Sequence, residues 1–600
     1  MHTSASTSEA RCPFSGQTIS RPAAVHAATV DTQPTEETRA GAGRLRRRTL
    51  LAGVLGLGAV KAVGAIPGNV RAYAATRRAL KGSHGKALRG MDVAVRFGRE
   101  REARFGVMFK KLPAYSPSDT LLKALAAKMN DGKAPLHDVK DSDVAYDISM
   151  PAGYIYFGQF IDHDITLDKT PLTLQQQDPS ATVNYDSPRF DLGSVYGGGP
   201  AASPELYDPA KPGYLKVNWH DEICDLPRDE VGAAYLGDPR NDENLIVAQL
   251  HTVFLRLHNK FRDQGHSFDK ARQLCRWHYQ WLIVHDFLPR VVGQGLVDRL
   301  VVKKLNGTLG AATAFYKPRD ATRPYMPIEF SGAAFRYGHS LIRAEYEMQD
   351  HHTVPIFGPD GYEDLRGSRP VPHNLWADWN YFFDIPGMDS PDDRNMARKI
   401  DTQISLPLTK LPPTVVTPTT GAILALAERN LLRGKRLGLP CGQDVAVAMG
   451  VRPLTNVQLG LTEGGWNKKA PLWFYVLKEA ELGGGQQLGP VGGRIVAEVI
   501  LGLLALDKTS YFNANPGFNP GAGFTMGSLI LMADAFDPRG VPVPEAPEEP
   551  DVPEEPDDPE LPEDPGAEEP HAPEEELEPI PLEPDEVINP AATEPLPGTV

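Results

Sequence analysis

The chain has 600 residues and a formal net charge of −15, but this charge is concentrated at one end. Residues 541–600 contain 21 acidic residues and no lysine or arginine, which leaves 62 basic and 56 acidic residues in the rest of the chain. A nearly balanced body without a concentrated basic stripe excludes a nucleic-acid-binding protein of the usual kind, and only 4 cysteines exclude a disulfide scaffold.

The N-terminal segment has the features of an export signal. Three arginines at 46–48 precede an apolar run that extends to about Ile66, and residues 72–75 form a small-residue pattern suited to cleavage. Paired arginines before a modest hydrophobic segment are typical of the twin-arginine route. Because the run is short and Lys61 interrupts it, an uncleaved membrane anchor is the weaker alternative. We therefore expect a leader over residues 1–75, export to the periplasm or outside the cell, and no stable membrane span in the mature chain.

A basic link over residues 76–98 leads into the part of the chain that is expected to fold. From residue 99 to 540, strand-like alternation is scarce, and proline- and glycine-rich loops join the apolar stretches. Helical spacing occurs over residues 99–129, 244–264, 271–291, 422–434 and 491–506. The pattern predicts a mainly α fold, with one large helical domain over residues 99–540 and little β structure.

Residues 157–168, with the sequence FGQFIDHDITLD, concentrate polar side chains within an apolar helix. Gln159, Asp162 and His163 are spaced to share one helix face, whereas Asp164 points away from them. A polar triplet in apolar surroundings needs partners, and a buried cofactor would supply them. The alternative is a His–Asp pair that caps the end of a helix.

Three later segments each contain one residue of similar interest. GDPRNDEN contains Arg240, FRYGHSLI contains His339, and RNLLRGKRLGLP contains Asn430. Singly, each has an ordinary explanation, such as a surface ion pair of Arg240 with Glu243, a plain helix residue, or a helix cap. Together they match the needs of iron-dependent peroxide reduction. That chemistry requires an imidazole acting first as base and then as acid, a fixed cation, and an axial ligand with an orienting partner.

These four segments, in this order, resemble those of the animal-type haem peroxidases of the peroxidase–cyclooxygenase superfamily, over roughly residues 100–535. The resemblance implies a bacterial haem-dependent peroxidase. Such an enzyme reduces hydrogen peroxide, oxidises a small donor such as a halide, thiocyanate or a phenol, and suits a response to oxidative stress. The sequence leaves the physiological donor and the oligomeric state open.

The resemblance also implies a role for each site residue. His163 would move the proton of peroxide, while Arg240 and Gln159 would stabilise the polar intermediate. On the opposite face of the haem, His339 would be the axial iron ligand, and Asn430 would accept a hydrogen bond from the N–H of the His339 ring. Arg336, three residues before the axial histidine, would pair with a haem propionate.

Two carboxylates and a loop extend the comparison. Asp162 and Glu243 stand where relatives with ester-linked haem attach the cofactor, so either haem b or an ester-linked derivative is expected. The calcium ligands of the family correspond here to the following residues: Asp164, Ser187, Arg189 through its carbonyl, and Asp191. Gly193 lacks the oxygen that relatives present at its position, which leaves a weaker, water-completed or empty calcium site open.

Two alternative functions remain. A fatty-acid dioxygenase of the same superfamily uses a tyrosine three residues before the axial histidine, where this chain has Arg336. Tyr337 is expected to turn away from that channel, but Tyr381 keeps this alternative open. A non-catalytic secreted binding protein would have lost His163, Arg240 or His339, and none is lost.

The C-terminal segment, residues 541–600, repeats proline between acidic pairs. This composition predicts an extended, solvated chain without helix or sheet. It would serve as a spacer, a weak cation binder or an aid to solubility, and solubility is the default.

Overall fold

The structure is a computed structural model. It describes residues 105–130, 147–167, 188–220, 223–319, 324–358, 361, 363–416 and 422–537. All of these residues fall within one compact unit. The expected leader, the basic link and the acidic tail lie outside the described residues, as do both expected boundaries of the domain, which stay predictions.

Helices form most of the ordered elements in these ranges. They are α1 Asp119–Met129, α2 Gly153–Ile165, α3 Gly193–Tyr196, α4 Leu245–Asp263, α5 Phe268–Leu282, α6 Leu288–Val292, α7 Gln294–Leu300, α8 Ile328–Ser331, α9 Leu426–Arg436, α10 Gly442–Ala448, α11 Asn456–Leu459, α12 Leu472–Leu482, α13 Pro490–Leu506, α14 Tyr511–Ala514 and α15 Met526–Met532. Short 3₁₀ turns cover Pro204–Leu206, Pro239–Asp242, Ala334–Ser340, Trp379–Tyr381 and Leu406–Thr409, and one π turn covers Ile283–Phe287.

The strands of the described residues are short and pair only two by two. They are β1 Phe105–Gly106, β2 Asp147–Pro151, β3 Asn218–His220, β4 Ile223–Asp225, β5 Val301–Lys303, β6 Leu309–Ala311, β7 Met326–Pro327, β8 Glu345–Gln349, β9 His352–Pro355 and β10 Met396–Arg398. β1 pairs with β7 in parallel, and the pairs β2–β10, β3–β4, β5–β6 and β8–β9 are antiparallel. The predicted mainly α fold with little β structure is confirmed.

The helical spacing located most of the later helices well and the first one poorly. The predicted stretch 422–434 is shifted, because α9 covers Leu426–Arg436. α4 and α13 agree with the predicted stretches within one residue at each end, and the stretch 271–291 is helical throughout, including its π turn. Before α1, however, the described residues form only the strand Phe105–Gly106. Pro113 and Pro117 disfavour helical backbone in the residues before them, and the helix starts after Ser118, whose hydroxyl accepts the N–H of Leu121.

The centre of the fold lies where α2 packs against α4 and α5. Phe160 of α2 is fully buried and stacks on Phe254 of α4 with the ring centroids 4.7 Å apart. It also meets the ring of Tyr279 of α5 edge to face. Burying one phenylalanine contributes about 1.5–3 kcal/mol. These contacts hold α2, which carries the predicted site residues, against the longest helix of the described chain.

Close packing also positions the start and the middle of α2. At Gly153, the first residue of the helix, a Cβ atom would lie 2.4 Å from the backbone oxygen of Phe382. At Gly158, one turn further, it would lie 3.2 Å from the ring of Phe287, which the π turn presents to the helix. The absence of a side chain at both positions therefore lets α2 approach its neighbours.

Two further properties concern the described residues only. None of their helices combines the length and the apolar character that a bilayer span requires. Cys224, Cys275 and Cys441 are buried free thiols, in agreement with the exclusion of a disulfide scaffold.

Candidate active site

One cavity brings together every residue that was predicted to act on peroxide or to hold haem. Its wall comes from α2, the turn Pro239–Asp242, the turn Ala334–Ser340 and α9. The predicted residues in the wall are Gln159, Asp162, His163, Arg240, Glu243, Arg336, His339 and Asn430. They are far apart in the sequence, so their convergence is a property of the tertiary structure.

The α2 side of the cavity follows the helical spacing. Gln159, Asp162 and His163 face the cavity, while the carboxylate of Asp164 lies elsewhere and accepts backbone N–H groups at the start of α3. Burial raises the pKa of Asp162 above its ordinary value, although the guanidinium groups of Arg240 and Arg336 oppose this shift. Thr166 donates a hydrogen bond of 2.9 Å to the same carboxylate.

Arg240 is a buried cation rather than part of a surface ion pair. Its side chain is held by Asp238, with a shortest contact of 2.7 Å from Nη2 to Oδ2. Nη2 also donates to the backbone oxygens of His163 and Thr166 at the end of α2, and Nη1 lies 3.8 Å from Asp162. These contacts fix the guanidinium beside His163.

Three amide and carboxylate side chains form a network on the same wall. Gln159 donates from Nε2 to Glu243 Oε1 at 2.6 Å, and Asn244 donates to Gln159 Oε1 at 3.2 Å. The oxygen of Asn244 caps α4 by accepting the N–H of Val247. Glu243 Oε1 lies 3.9 Å from His163 Nε2, so a carboxylate adjoins the ring nitrogen that faces the cavity.

Asn241 and His251 belong to this site, although sequence reasoning missed them. Asn241 Oδ1 lies 2.7 Å from His163 Nδ1, and Asn241 Nδ2 lies 3.0 Å from His251 Nδ1. Both residues are almost completely buried. The available signal was the position of Asn241 directly after Arg240, but no spacing rule pointed to His251 on α4.

His339 also lines the cavity, and it lies on a 3₁₀ turn rather than an α-helix. Burial, together with Arg336 and Arg433, lowers the pKa of its imidazole to about 3, so the ring is neutral near pH 7. Asn430 of α9 places its amide nitrogen 2.7 Å from His339 Nδ1, while its oxygen accepts from Arg336 Nη1 at 3.2 Å. A 180° rotation of this amide would exchange its nitrogen and oxygen. The oxygen would then face His339 Nδ1, as the predicted acceptor of the ring N–H.

The 3₁₀ geometry overturns one expectation. Tyr337 was expected to turn away from the channel, but it lines the same cavity. With three residues per turn, Tyr337 is rotated about 120° from His339 instead of lying opposite it, as it would on an α-helix. Tyr381 does not line this cavity.

Three guanidinium groups lie on the cavity wall, on the two elements that carry His339 and Asn430. Arg336 was predicted, whereas Arg429 and Arg433 of α9 were not. Burial and the charge of Arg433 lower the pKa of Arg429 to about 10. Such a concentration of positive charge favours an anionic ligand. The signal that was overlooked is that, in the same motif, one arginine directly precedes Asn430 and another follows it three residues later.

The lining fits haem in its chemistry. Two imidazoles from separate segments suit an iron ligand and a distal base, the guanidinium groups suit two propionates, and apolar side chains, including Leu408, Leu411 and Val415, suit the porphyrin. At Gly338, beside His339, a Cβ atom would meet nothing within 4 Å. That space lies on the cavity wall, as expected if a large group fills it.

The predicted calcium loop is only partly described, because Ser187 lies outside the described residues. Asp164 and Asp191 are both buried. Burial and the charge of Asp191 raise the pKa of Asp164 to about 8. Arg276 donates to the backbone oxygen of Asp191 at 2.7 Å. Among the described residues, no group of three or more acidic, histidine or cysteine side chains is arranged to hold a metal ion.

Comparison with known proteins relates these observations to a known family. Residues 169–459 match the family model described as animal haem peroxidase. Chorion peroxidase from Aedes aegypti is 23% identical over 476 residues, which cover 71% of this chain and 56% of that protein. Thyroid peroxidase from Canis lupus familiaris is 26% identical over 311 residues, which cover 44% of this chain and 30% of that protein. The chain therefore spans about half or less of these relatives.

A solved structure supports the fold. Peroxidase A from Dictyostelium discoideum superposes with a TM-score of 0.50 and 18% identity, covering 74% of this chain and 94% of that chain. At this identity the similarity concerns the fold alone. The family match includes Arg240, His339 and Asn430, whereas it begins after His163.

Proposed function

Because residues 169–459 match the animal haem peroxidase family model, we propose that the protein is a haem-dependent peroxidase that reduces hydrogen peroxide and oxidises a small donor. The observation that carries the proposal is the shared cavity of His163 and His339, two imidazoles from segments remote in sequence. Bound haem would supply the iron at which peroxide is reduced.

The proton transfer is assigned to His163. Its Nε2 would take a proton from the peroxide oxygen that binds the metal and return it to the oxygen that leaves as water. Arg240, held in place by Asp238, would stabilise the negative charge on the departing oxygen. Gln159 would add a hydrogen-bond donor on the same side.

The cofactor would be held mainly from the other side of the cavity. His339 would ligate the iron through Nε2, which requires its proton on Nδ1 and the oxygen of Asn430 turned towards it. That half turn would release Arg336 from the amide oxygen and free it for a propionate, with Arg433 near the second. The neutral state of His339 supports this role, since only the neutral ring binds a metal.

We further propose that Asp162 and Glu243 would attach to haem methyl groups by ester bonds; for each bond a methyl C–H bond would be replaced by a C–O bond, and one hydrogen peroxide would take up the two electrons and be reduced to water. Both carboxylates line the cavity, and burial favours a neutral form of Asp162. Haem b without such links is the simpler alternative.

Calcium remains part of the proposal at Asp164, Arg189 and Asp191, with Ser187. The interaction between the buried carboxylates of Asp164 and Asp191 supports this site, because a cation would relieve their mutual repulsion. Elemental analysis of the purified protein tests it: a stoichiometric calcium content supports the site, and its absence after growth with ample calcium refutes it.

A spectroscopic experiment tests the main proposal. Protein produced with ample haem is expected to show a Soret band that changes when peroxide is added. Steady-state assays with iodide, bromide, thiocyanate and phenols would then identify the donor. Colourless protein under the same conditions would instead support the non-catalytic binding protein. The presence of His163, Arg240 and His339 argues against that alternative.

Fatty-acid dioxygenase is the second candidate, and the presence of Tyr337 in the cavity wall favours it. A tyrosine beside the axial ligand, next to apolar side chains, is suited to oxidise a lipid. Oxygen consumption on addition of a long-chain fatty acid, lost in Tyr337→Phe, would support this function. Peroxide turnover without any fatty-acid-dependent oxygen uptake would exclude it.

Export by the twin-arginine route is proposed from the leader alone. Replacing Arg47 and Arg48 by lysine is expected to retain the protein in the cytoplasm of a host that uses this route. Unchanged export of that variant would contradict the assignment.

A further inference from the structure

We infer that Asn241, oriented by His251, sets the tautomer of His163 and so keeps Nε2 available as a base. This inference rests on the proposed peroxidase function and adds two positioning residues to it. Neither touches the cavity wall, so both would act through the ring of His163.

His163, Asn241 and His251 are joined by two consecutive hydrogen bonds in the protein interior. His163 Nδ1 lies 2.7 Å from Asn241 Oδ1, and Asn241 Nδ2 lies 3.0 Å from His251 Nδ1. The exposed fractions of the three residues are 3%, 0% and 1%. Without access to water, each polar atom in this chain depends on its neighbour for a hydrogen bond.

An amide group is asymmetric, and this asymmetry decides where the protons lie. The oxygen of Asn241 only accepts, so His163 must donate to it from Nδ1. A neutral imidazole has one N–H, and Nε2 is then unprotonated. That atom lies 3.9 Å from Glu243 Oε1. In this tautomer Nε2 carries the lone pair with which the ring can take a proton from a ligand in the cavity.

His251 fixes the direction of the amide. With its own proton on Nε2, neutral His251 accepts at Nδ1 from Asn241 Nδ2, which a protonated imidazolium could not do. Burial lowers the pKa of His251 to about 3, with a small opposing effect of Asp238, so the ring stays neutral. If His251 donated from Nδ1 instead, the amide would turn over. The nitrogen of Asn241 would then face His163, the His163 proton would move to Nε2, and the base would be lost.

The tautomer can be observed directly in the holoprotein. In the ferrous carbon monoxide form, which is diamagnetic, ¹⁵N-histidine NMR is expected to show His163 protonated at Nδ1. Asn241→Leu removes both hydrogen bonds and is expected to give a mixture of tautomers. Asn241→Asp keeps an acceptor for His163 and is expected to retain the proton on Nδ1. A His163 protonated at Nε2 in the unaltered protein would overturn the inference.

Cyanide association provides the second readout, because hydrogen cyanide, like peroxide, must lose a proton to bind ferric haem. Asn241→Leu is expected to slow cyanide association and the reaction with peroxide by about 10–100-fold, with unchanged haem content. Asn241→Asp should restore most of both rates, and His251→Phe should cause an intermediate loss. Rates for Asn241→Leu within twofold of those of the unaltered protein would overturn the inference.

Gln249→Leu is the matched control. Gln249 is a buried amide on the same helix as His251, and its hydrogen bonds run to Leu245, Leu375 and Ala377, away from His163. It is expected to leave the tautomer and both rates unchanged, and rates lowered as in Asn241→Leu would assign the effect to lost packing. If the unaltered protein bound no haem or did not react with peroxide, the proposed function itself would be wrong. If the unaltered protein reacted normally and Asn241→Leu kept that reactivity, only the inference about Asn241 would be wrong.

Discussion

His339 and Asn430 lie on different elements, a 3₁₀ turn and a helix, yet the ring nitrogen Nδ1 and the amide nitrogen are 2.7 Å apart. The same amide binds Arg336 through its oxygen. One neutral side chain thus connects the expected iron ligand with a cation expected to bind a propionate. Haem binding would therefore change both contacts of Asn430 at once.

The first prediction concerns this contact. Asn430→Leu is expected to weaken haem affinity by about 10–100-fold, because the orienting partner of the axial ligand is lost. Titration of the apoprotein with haemin measures it. Asn513→Leu, which removes a partly buried amide bonded to Ala505 and Asp507, serves as the control. Equal affinities for both variants would contradict the assigned role.

The second prediction concerns proton transfer. His163→Ala should retain haem but react with peroxide about 10²–10⁴-fold more slowly, since the base and acid is removed. Stopped-flow measurement of the Soret band gives this rate. An unchanged rate would remove His163 from the mechanism.

The third prediction concerns the ion pair behind Arg240. Asp238→Asn should lower the free energy of unfolding by about 3–5 kcal/mol, because the buried guanidinium loses its nearest carboxylate. Urea denaturation monitors the loss. Glu463→Gln breaks the pair with Lys128, in which both side chains are more than half exposed, and should change stability by less than about 0.5 kcal/mol. Comparable losses in the two variants would show that the burial of Arg240 has no energetic importance.

The fourth prediction concerns pH. Burial lowers the pKa of His258 from 6.5 to about 4, so the unfolded chain binds more protons than the folded chain between these values. Stability therefore falls as the pH decreases from 6.5 to 4, by up to about 1.4 kcal/mol per pH unit for this group. His258→Gln should show a correspondingly shallower decline in urea unfolding measured across this range. An identical slope would mean that His258 titrates normally in the folded state.

The fifth prediction concerns the ester bonds. Haem should resist acid–acetone extraction from the unaltered protein and from Asp162→Asn or Glu243→Gln alone. The double variant, which lacks both carboxylates, should release it. Haem that leaves the unaltered protein freely refutes both links.

Local patterns predicted those parts of the site that lie on one element. Helical spacing correctly placed Gln159, Asp162 and His163 on one face of α2 and Asp164 on another, because these positions depend only on the helix repeat. The residues converging from elsewhere were identified through the resemblance to a family, not through spacing.

Other features depended on tertiary structure, which spacing does not contain. The contact of Asn241 with His251 exists only because the turn Pro239–Asp242 folds back onto α4. The direction of the Tyr337 side chain was predicted wrongly because the segment around it was assumed to be an α-helix, whereas it forms a 3₁₀ turn. Arg429 was overlooked because a charged helix residue is usually solvated, and only the cavity shows otherwise.

The absence of a side chain at Gly158 sets the distance between α2, which carries His163, and the ring of Phe287. A methyl group there would meet the ring of Phe287 at 3.2 Å, so helix or ring would have to yield by a few tenths of an ångström. Reactions that depend on near-contact geometry are sensitive to displacements of this size. An alanine at Gly158, which itself lines the cavity, would thus shift α2 and with it the side chains that this helix presents to a bound ligand.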